Sequence, residues 1–153
     1  MKTFEALVRE ALDSVEEIFP WDLAKAREDK PELVLLDVRE PYEYHAMHIK
    51  DALNVPRGIL ETACEFNYEE TVPELANARE QEIIVICRSG KRSVLVAQVM
   101  QQLGYRNVKS LKTGMRGWSD DDQDMVDRDG KPVSEDAAIE YFTPRLRPEQ
   151  MNK

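Results

Sequence analysis

The chain has 153 residues, 42% of them hydrophobic and 33% charged, which is too apolar for a disordered polymer and enough to give one domain a core of its own. Its net charge of −9 argues against general affinity for nucleic acid, and no apolar run approaches the roughly 20 residues that cross a bilayer. Two cysteines, Cys64 and Cys87, and two histidines, His45 and His48, are too few for a disulfide framework or a zinc site of ordinary spacing, so no metal and no cofactor is expected.

In chain order, Phe4, Leu7, Val8, Ala11, Leu12, Val15 and Ile18 fall on one face of a helix that Pro20 should end. Glu5, Arg9 and Glu10 interrupt the apolar stretch that a secretory signal needs, and with free thiols this points to a cytoplasmic protein. Residues 1–19 thus read as an N-terminal helical extension that covers a sheet, docks a carrier or packs against a second copy in a homodimer. Trp21 to Arg27 suggests a short second helix. "ELVLLDV" (32–38) has the length and continuous apolarity of a strand covered on both faces, and "ALNV" (52–55) is a weaker strand closed by Pro56. Residues 58–80 read as helix and irregular segments. "EIIVIC" (82–87) is the second buried strand; Val94, Leu95, Val99 and Leu103 then follow at helical spacing, with Gly104 as the stop. "NVKSL" (107–111) is a further strand. Strands alternating with helices predict an α/β fold with a mainly parallel sheet flanked by helices.

From Ser119 the chain turns acidic. Asp127, Asp129 and Gly130 suggest a calcium loop, but with that glycine at the sixth position Met125 occupies the first, where a carboxylate is required, so "RDGK" reads as a turn. The main domain is expected over 20–133, followed by a loosely held tail over 134–153.

The stretch "VICRSGKRSV" (85–94) concentrates chemistry. Cys87 closes a buried strand and precedes a helix, the place where open α/β sheets bind ligands. A short loop there can point successive backbone amides at one centre, and the helix adds its positive end; both favour thiolate over thiol. Arg88, Lys91 and Arg92 strengthen that field. Between Ile83 and Trp118 there is no acidic residue and seven cations, leaving −16 for the other 117 residues of a chain whose total is −9, as expected beside an anionic ligand or an acidic partner.

Cys87-Arg88-Ser89-Gly90-Lys91-Arg92-Ser93 resembles the active-site loop of the rhodanese family, in which the pattern is Cys-Arg-x-Gly-x-Arg-Ser. Cysteine-based phosphatases carry arginine six positions after the cysteine. Here Arg92 is five after Cys87, and the resemblance implies that the shorter loop encloses one sulfur atom rather than a phosphate. "LLDVREPYEYHAMHIKDALNVPRG" (35–58) resembles the family's first signature and "LKTGMRGW" (111–118) its closing one, with coverage of roughly 18–133. Met47 and Asp51 stand where the family usually has glycine; Asp accepts a left-handed turn and Met does so poorly.

The resemblance implies two-step sulfur transfer. Cys87 attacks a small anionic donor such as thiosulfate and holds a persulfide, bound by Arg88, Ser89, Gly90, Lys91, Arg92 and Ser93. A thiol such as glutathione, a small sulfur-carrier protein or cyanide then accepts the sulfur. No nucleic-acid or membrane partner is expected. Asp37, Arg39 and Arg57 are secondary candidates: Arg39 is expected to pair with Glu43, and Arg57 to reach the pocket edge. His48 is expected as a hydrogen-bonded core or turn residue, and Cys64 on a helix face. The alternatives are a persulfide-carrying interaction module with little turnover of free thiosulfate, and a phosphatase or arsenate reductase of the same fold.

Overall fold

A computed structural model describes residues 1–152. The chain begins with helix α1 (Phe4–Ala11), whose first turn is capped by the Thr3 hydroxyl accepting from the Ala6 amide at 3.0 Å. The helix does not run on to Pro20. The chain turns at Asp13 and Ser14 and re-enters as strand β1 (Glu16–Ile18). Leu12, Val15 and Ile18 keep helical spacing, but a sheet edge offers Glu16–Ile18 backbone partners that outweigh that local periodicity. Pro20 starts helix α2 (Pro20–Asp29), at a position where its missing N–H costs nothing.

Strand β2 (Val34–Asp37), helix α3 (Pro41–Ala46) and a two-residue strand β3 (Leu53–Asn54) follow, then a 3-10 turn (Arg57–Ile59) and two one-turn helices, α4 (Leu60–Ala63) and α5 (Pro73–Ala76). Strand β4 (Glu82–Ile86), helix α6 (Arg92–Gln102), strand β5 (Asn107–Leu111) and helix α7 (Gly114–Asp120) complete the central unit. Gly104, at φ +94°, closes α6, with the Tyr105 amide reaching back to the Met100 carbonyl at 3.1 Å. Gly130, at φ +79°, forms the turn expected at "RDGK". The segment 134–153 contains a helix that the sequence reading did not anticipate, α8 (Glu135–Phe142), which buries Ala138 and Phe142.

The five strands form one sheet in the order β1-β5-β4-β2-β3, every pairing parallel. β4 is central, and its side chains alternate between two cores: Ile83, Val85 and Cys87 join α1, α4 and α6 on one face, while Ile84 and Ile86 join α2, α7 and α8 on the other. Parallel strands bring their C-terminal ends to one edge. The loops after β1, β2, β3, β4 and β5 therefore meet there, with the cysteine loop in the middle.

The two positions that depart from glycine are accommodated differently. Asp51 takes the left-handed conformation, at φ +70°. Met47 is extended, at φ −168°, which any residue adopts, so no glycine is needed there.

Candidate active site

Cys87 leaves the end of β4, and the chain then curls through Arg88, Ser89 and Gly90 into the first turn of α6. Gly90, at φ +85°, makes the curl; a Cβ on it would lie 2.7 Å from the Thr113 amide nitrogen. The Gly90 N–H donates to Cys87 Sγ at 3.1 Å and the Ser93 N–H at 3.3 Å. The Cys87 thiol lies 3.2 Å from Ser93 Oγ, which is 2.7 Å from Ser110 Oγ on β5. With Cys87, Ser93 and Ser110 all fully buried, the sulfur is enclosed by donors and little water. If the sulfur is an anion, the Ser93 hydroxyl turns its proton toward it and can accept in turn from Ser110. Three donors then face one negative charge, an arrangement far stronger here than in water.

The curl is held from behind. The Met115 N–H donates to the Cys87 carbonyl at 2.8 Å and the Arg116 N–H to the Arg88 carbonyl at 3.0 Å. With those carbonyls turned toward α7, the loop amides are left to face the sulfur. Gly114 permits the approach: a Cβ on it would sit 2.5 Å from the Cys87 oxygen. The Thr113 side chain fills the space beside Gly117, where a Cβ cannot fit. Ser110, Thr113 and Gly114 are thus site-building residues that the sequence reading did not single out; the "LKTGMRGW" motif contains Thr113 and Gly114, whereas Ser110, on β5, carries no such signal.

The cations divide. Arg92 makes a bidentate pair with Glu43 of α3, at 3.1 and 3.0 Å, and Lys91 pairs with Glu5 of α1 at 3.3 Å. Burial disfavours the charged Glu43, but hydrogen bonds from Arg92 and from the Glu40 amide outweigh it and hold the carboxyl below its ordinary value. Among the described residues the Arg88 side chain has only a long contact, 3.5 Å, to the Phe142 carbonyl at the end of α8. Ser89 is exposed at the tip.

Arg39 does not pair with Glu43 as expected. Its Nη2 donates to Asp37 Oδ2 and to the Met47 carbonyl, both at 2.8 Å, and its Nε to Asp37 Oδ1 at 3.0 Å. Both side chains are fully buried, so they tie the end of β2 to the end of α3 rather than line the loop. Asp37 stands only two residues before Arg39, whereas Glu43 is drawn to the half-buried Arg92. Arg57 is exposed after β3. Its side chain lines a groove of about 280 Å³ beside Leu7, Leu60 and Leu95 and makes no hydrogen bond to the cysteine loop among the described residues. His48 stacks on Tyr44, with ring centroids 3.7 Å apart, and its Nδ1 meets the Tyr44 carbonyl at 2.8 Å. Cys64 caps α4 and is fully buried, and burial pushes its thiol pKa up, which suits a core residue and not a nucleophile. No group of acidic, histidine or cysteine side chains with the makings of a metal site occurs among the described residues.

Comparison with known proteins agrees with this architecture. The profile of the rhodanese-like domain matches residues 20–121. A thiosulfate:glutathione sulfurtransferase of Saccharomyces cerevisiae is 34% identical over 102 residues, which are 63% of this chain and 72% of that protein. A sulfurtransferase of Allochromatium vinosum is 28% identical over 105 residues, 69% of this chain and 89% of its own. The crystal structure of a thiosulfate sulfurtransferase from Pseudomonas aeruginosa superposes with a TM-score of 0.65 and 26% identity, covering 88% of this chain but 25% of that one. With the five-stranded parallel sheet and the matched segment together, the chain belongs to the rhodanese-like domain family.

Proposed function

We propose that this protein is a sulfurtransferase that takes a sulfane sulfur from thiosulfate or a related anionic donor onto Cys87 and passes it to a thiol. The observation that carries the reading is the convergence of the Gly90 amide, the Ser93 amide and the Ser93 hydroxyl on Cys87 Sγ, at 3.1, 3.3 and 3.2 Å. In the first step the Cys87 thiolate attacks the donor's outer sulfur. A sulfur–sulfur bond forms to Cys87, the donor's own S–S bond breaks, and sulfite leaves with its electron pair. In the second, an acceptor thiolate takes that sulfur and returns Cys87 as thiolate. Neither step needs an oxidant, a metal or an imidazole base. The loop donors would hold both the thiolate and the persulfide, which carry the same charge in nearly the same place. Cys87 is fully buried, and Ser89 is the exposed residue of its loop.

In this reading Arg88, free of any carboxylate among the described residues, attracts the donor dianion, while Lys91 and Arg92 shape the loop through Glu5 and Glu43. Ser89 sits at the entrance, and Asp37 and Arg39 position the β2 end from the interior. Two observations speak against a phosphatase: the sixth position after Cys87 is Ser93 rather than arginine, and Arg92, at the fifth, is engaged by Glu43.

Intact mass after brief exposure to thiosulfate tests the reading: an added sulfur of about 32 Da on the wild type, absent from Cys87→Ser and removed by a thiol, is expected. Normal turnover by Cys87→Ser would end it. A second reading, a persulfide carrier with little turnover of free thiosulfate, draws on the full burial of Cys87. It predicts no added sulfur from free thiosulfate and no steady-state thiosulfate:cyanide activity, with Cys87 loaded by a partner's persulfide instead.

A further inference from the structure

The seven cations of the acid-free segment sort into two groups. Lys91, Arg92, Arg106 and Lys109 each pair with a carboxylate: Glu5, Glu43, Glu80 and Glu82. Arg88, Lys112 and Arg116 pair with none among the described residues; Lys112 and Arg116 belong to the β5–α7 segment, and Arg88 is joined to it through its carbonyl. Arg116 is held next to the loop through its amide on the Arg88 carbonyl, at 3.0 Å. Lys112 is continuous with the loop through Thr113, which packs against Gly90, and its amide donates to the Ile18 carbonyl at 2.8 Å. This brings Lys112 to the end of β1, where Phe19 and Trp21 stack face to face, centroids 4.7 Å apart and planes within 9°. The Lys112 ammonium sits 4.9 Å from the Phe19 ring centroid. Phe19 is 39% exposed and Trp21 54%, large aromatic area that the fold leaves uncovered.

We infer that this strip, from Arg88 and Arg116 through Lys112 to the Phe19–Trp21 stack, is the docking surface for a protein acceptor of the persulfide sulfur, one presenting carboxylates around an apolar side chain beside its thiol. The inference rests on the sulfurtransferase reading and names the class of acceptor. Free cations flanking an exposed aromatic anchor are complementary to such a surface, and carboxylate-bearing partners are steered to them. Nucleic acid fits less well. Three cations neutralise few phosphates, and the chain as a whole carries −9. Docking there places the acceptor thiol above the loop. The acceptor thiolate then attacks the outer persulfide sulfur, the bond to Cys87 breaks, its electron pair returns to Cys87 Sγ, and the acceptor leaves as the persulfide.

The test uses the full chain with two synthetic peptide thiols as acceptors, one with three aspartates and a leucine before a terminal cysteine, the other with lysines in place of the aspartates, and cyanide as a small acceptor. With saturating thiosulfate, the acidic peptide should show a KM about tenfold below that of its basic counterpart. Lys112→Glu and Trp21→Ala should each raise that KM by about fivefold and leave cyanide turnover unchanged. Equal KM values for the two peptides would overturn the inference, as would variants that slow cyanide equally. So would competition for the strip by a short oligouridylate at physiological salt, which would assign it to nucleic acid. If the wild type takes no sulfur from thiosulfate, the sulfurtransferase reading fails by itself. Anisotropy with serine versions of the same peptides then still reads the docking preference, acidic over basic being expected and no preference overturning it.

Discussion

At the scale of single residues, the neighbours of Cys87 contribute unequally. Ser93 meets the sulfur twice, through its amide at 3.3 Å and its hydroxyl at 3.2 Å, but only the hydroxyl can be removed by substitution. Ser93→Ala should slow persulfide formation by roughly tenfold to a hundredfold, the worth of one hydrogen bond to a buried anion, as followed by mass spectrometry over time. Ser110 acts on the sulfur only through Ser93, at 2.7 Å, so Ser110→Ala should cost less, and the two losses should not add. Glu43 carries a different dependence. Its carboxyl is held below the ordinary value of 4.5, so its contribution to stability is fully present above that pH and is lost as the pH falls through the lower folded value. Glu43→Gln should therefore destabilise the protein by about 1–2 kcal/mol at neutral pH and by much less under strongly acid conditions, as read from urea midpoints at the two pH values. The carboxylate pairings themselves were not legible in the sequence. Arg39 has acids both two residues before it and four after, and only the buried ends of β2 and α3 decide between them.

Among the elements, the turn into α7 builds the site although it carries no reacting group. Met115 and Arg116 hold the carbonyls of Cys87 and Arg88, and Gly114 is what lets them approach. Gly114→Ala should destabilise the protein by more than about 2 kcal/mol, since a Cβ would fall within 2.7 Å of the loop backbone, itself held at both ends. Differential scanning calorimetry would show it as a lowered Tm, and a wild-type Tm would show that the turn is not under such constraint. β1 illustrates the limit of local pattern. Its three residues have no stability alone, and their spacing is equally compatible with a longer α1; the parallel register of Glu16–Ile18 on Lys109–Leu111 makes them a strand. α8 does carry local signals, a Ser134 cap and Ala138 and Phe142 four residues apart, but eight residues with Glu135, Asp136 and Glu140 read as a continuation of the acidic stretch before them.

Across the whole molecule, segments outside the matched region 20–121 complete it on both sides. α1 closes one core through Val8 and Ala11, and α8 closes the other through Phe142, whose carbonyl also meets the Arg88 guanidinium at 3.5 Å. Phe142→Ala should cost about 3–5 kcal/mol, measured by chemical denaturation, and should change the KM for thiosulfate if the end of α8 orients Arg88. No helix among the described residues is long and apolar enough to cross a membrane. The sequence by itself determined the alternating strands and helices, the placement of Cys87 at the end of a buried strand, and the residue types and spacing of its loop. These follow from periodicity and turn chemistry, which act over a few neighbouring residues. Only the tertiary structure decided which acid each cation meets, that Ser110 and Gly114 stand behind the loop, and that Lys112 sits beside an exposed aromatic stack. Each of those depends on strands far apart in the chain ending at one edge, an outcome of parallel pairing that no local window of sequence contains.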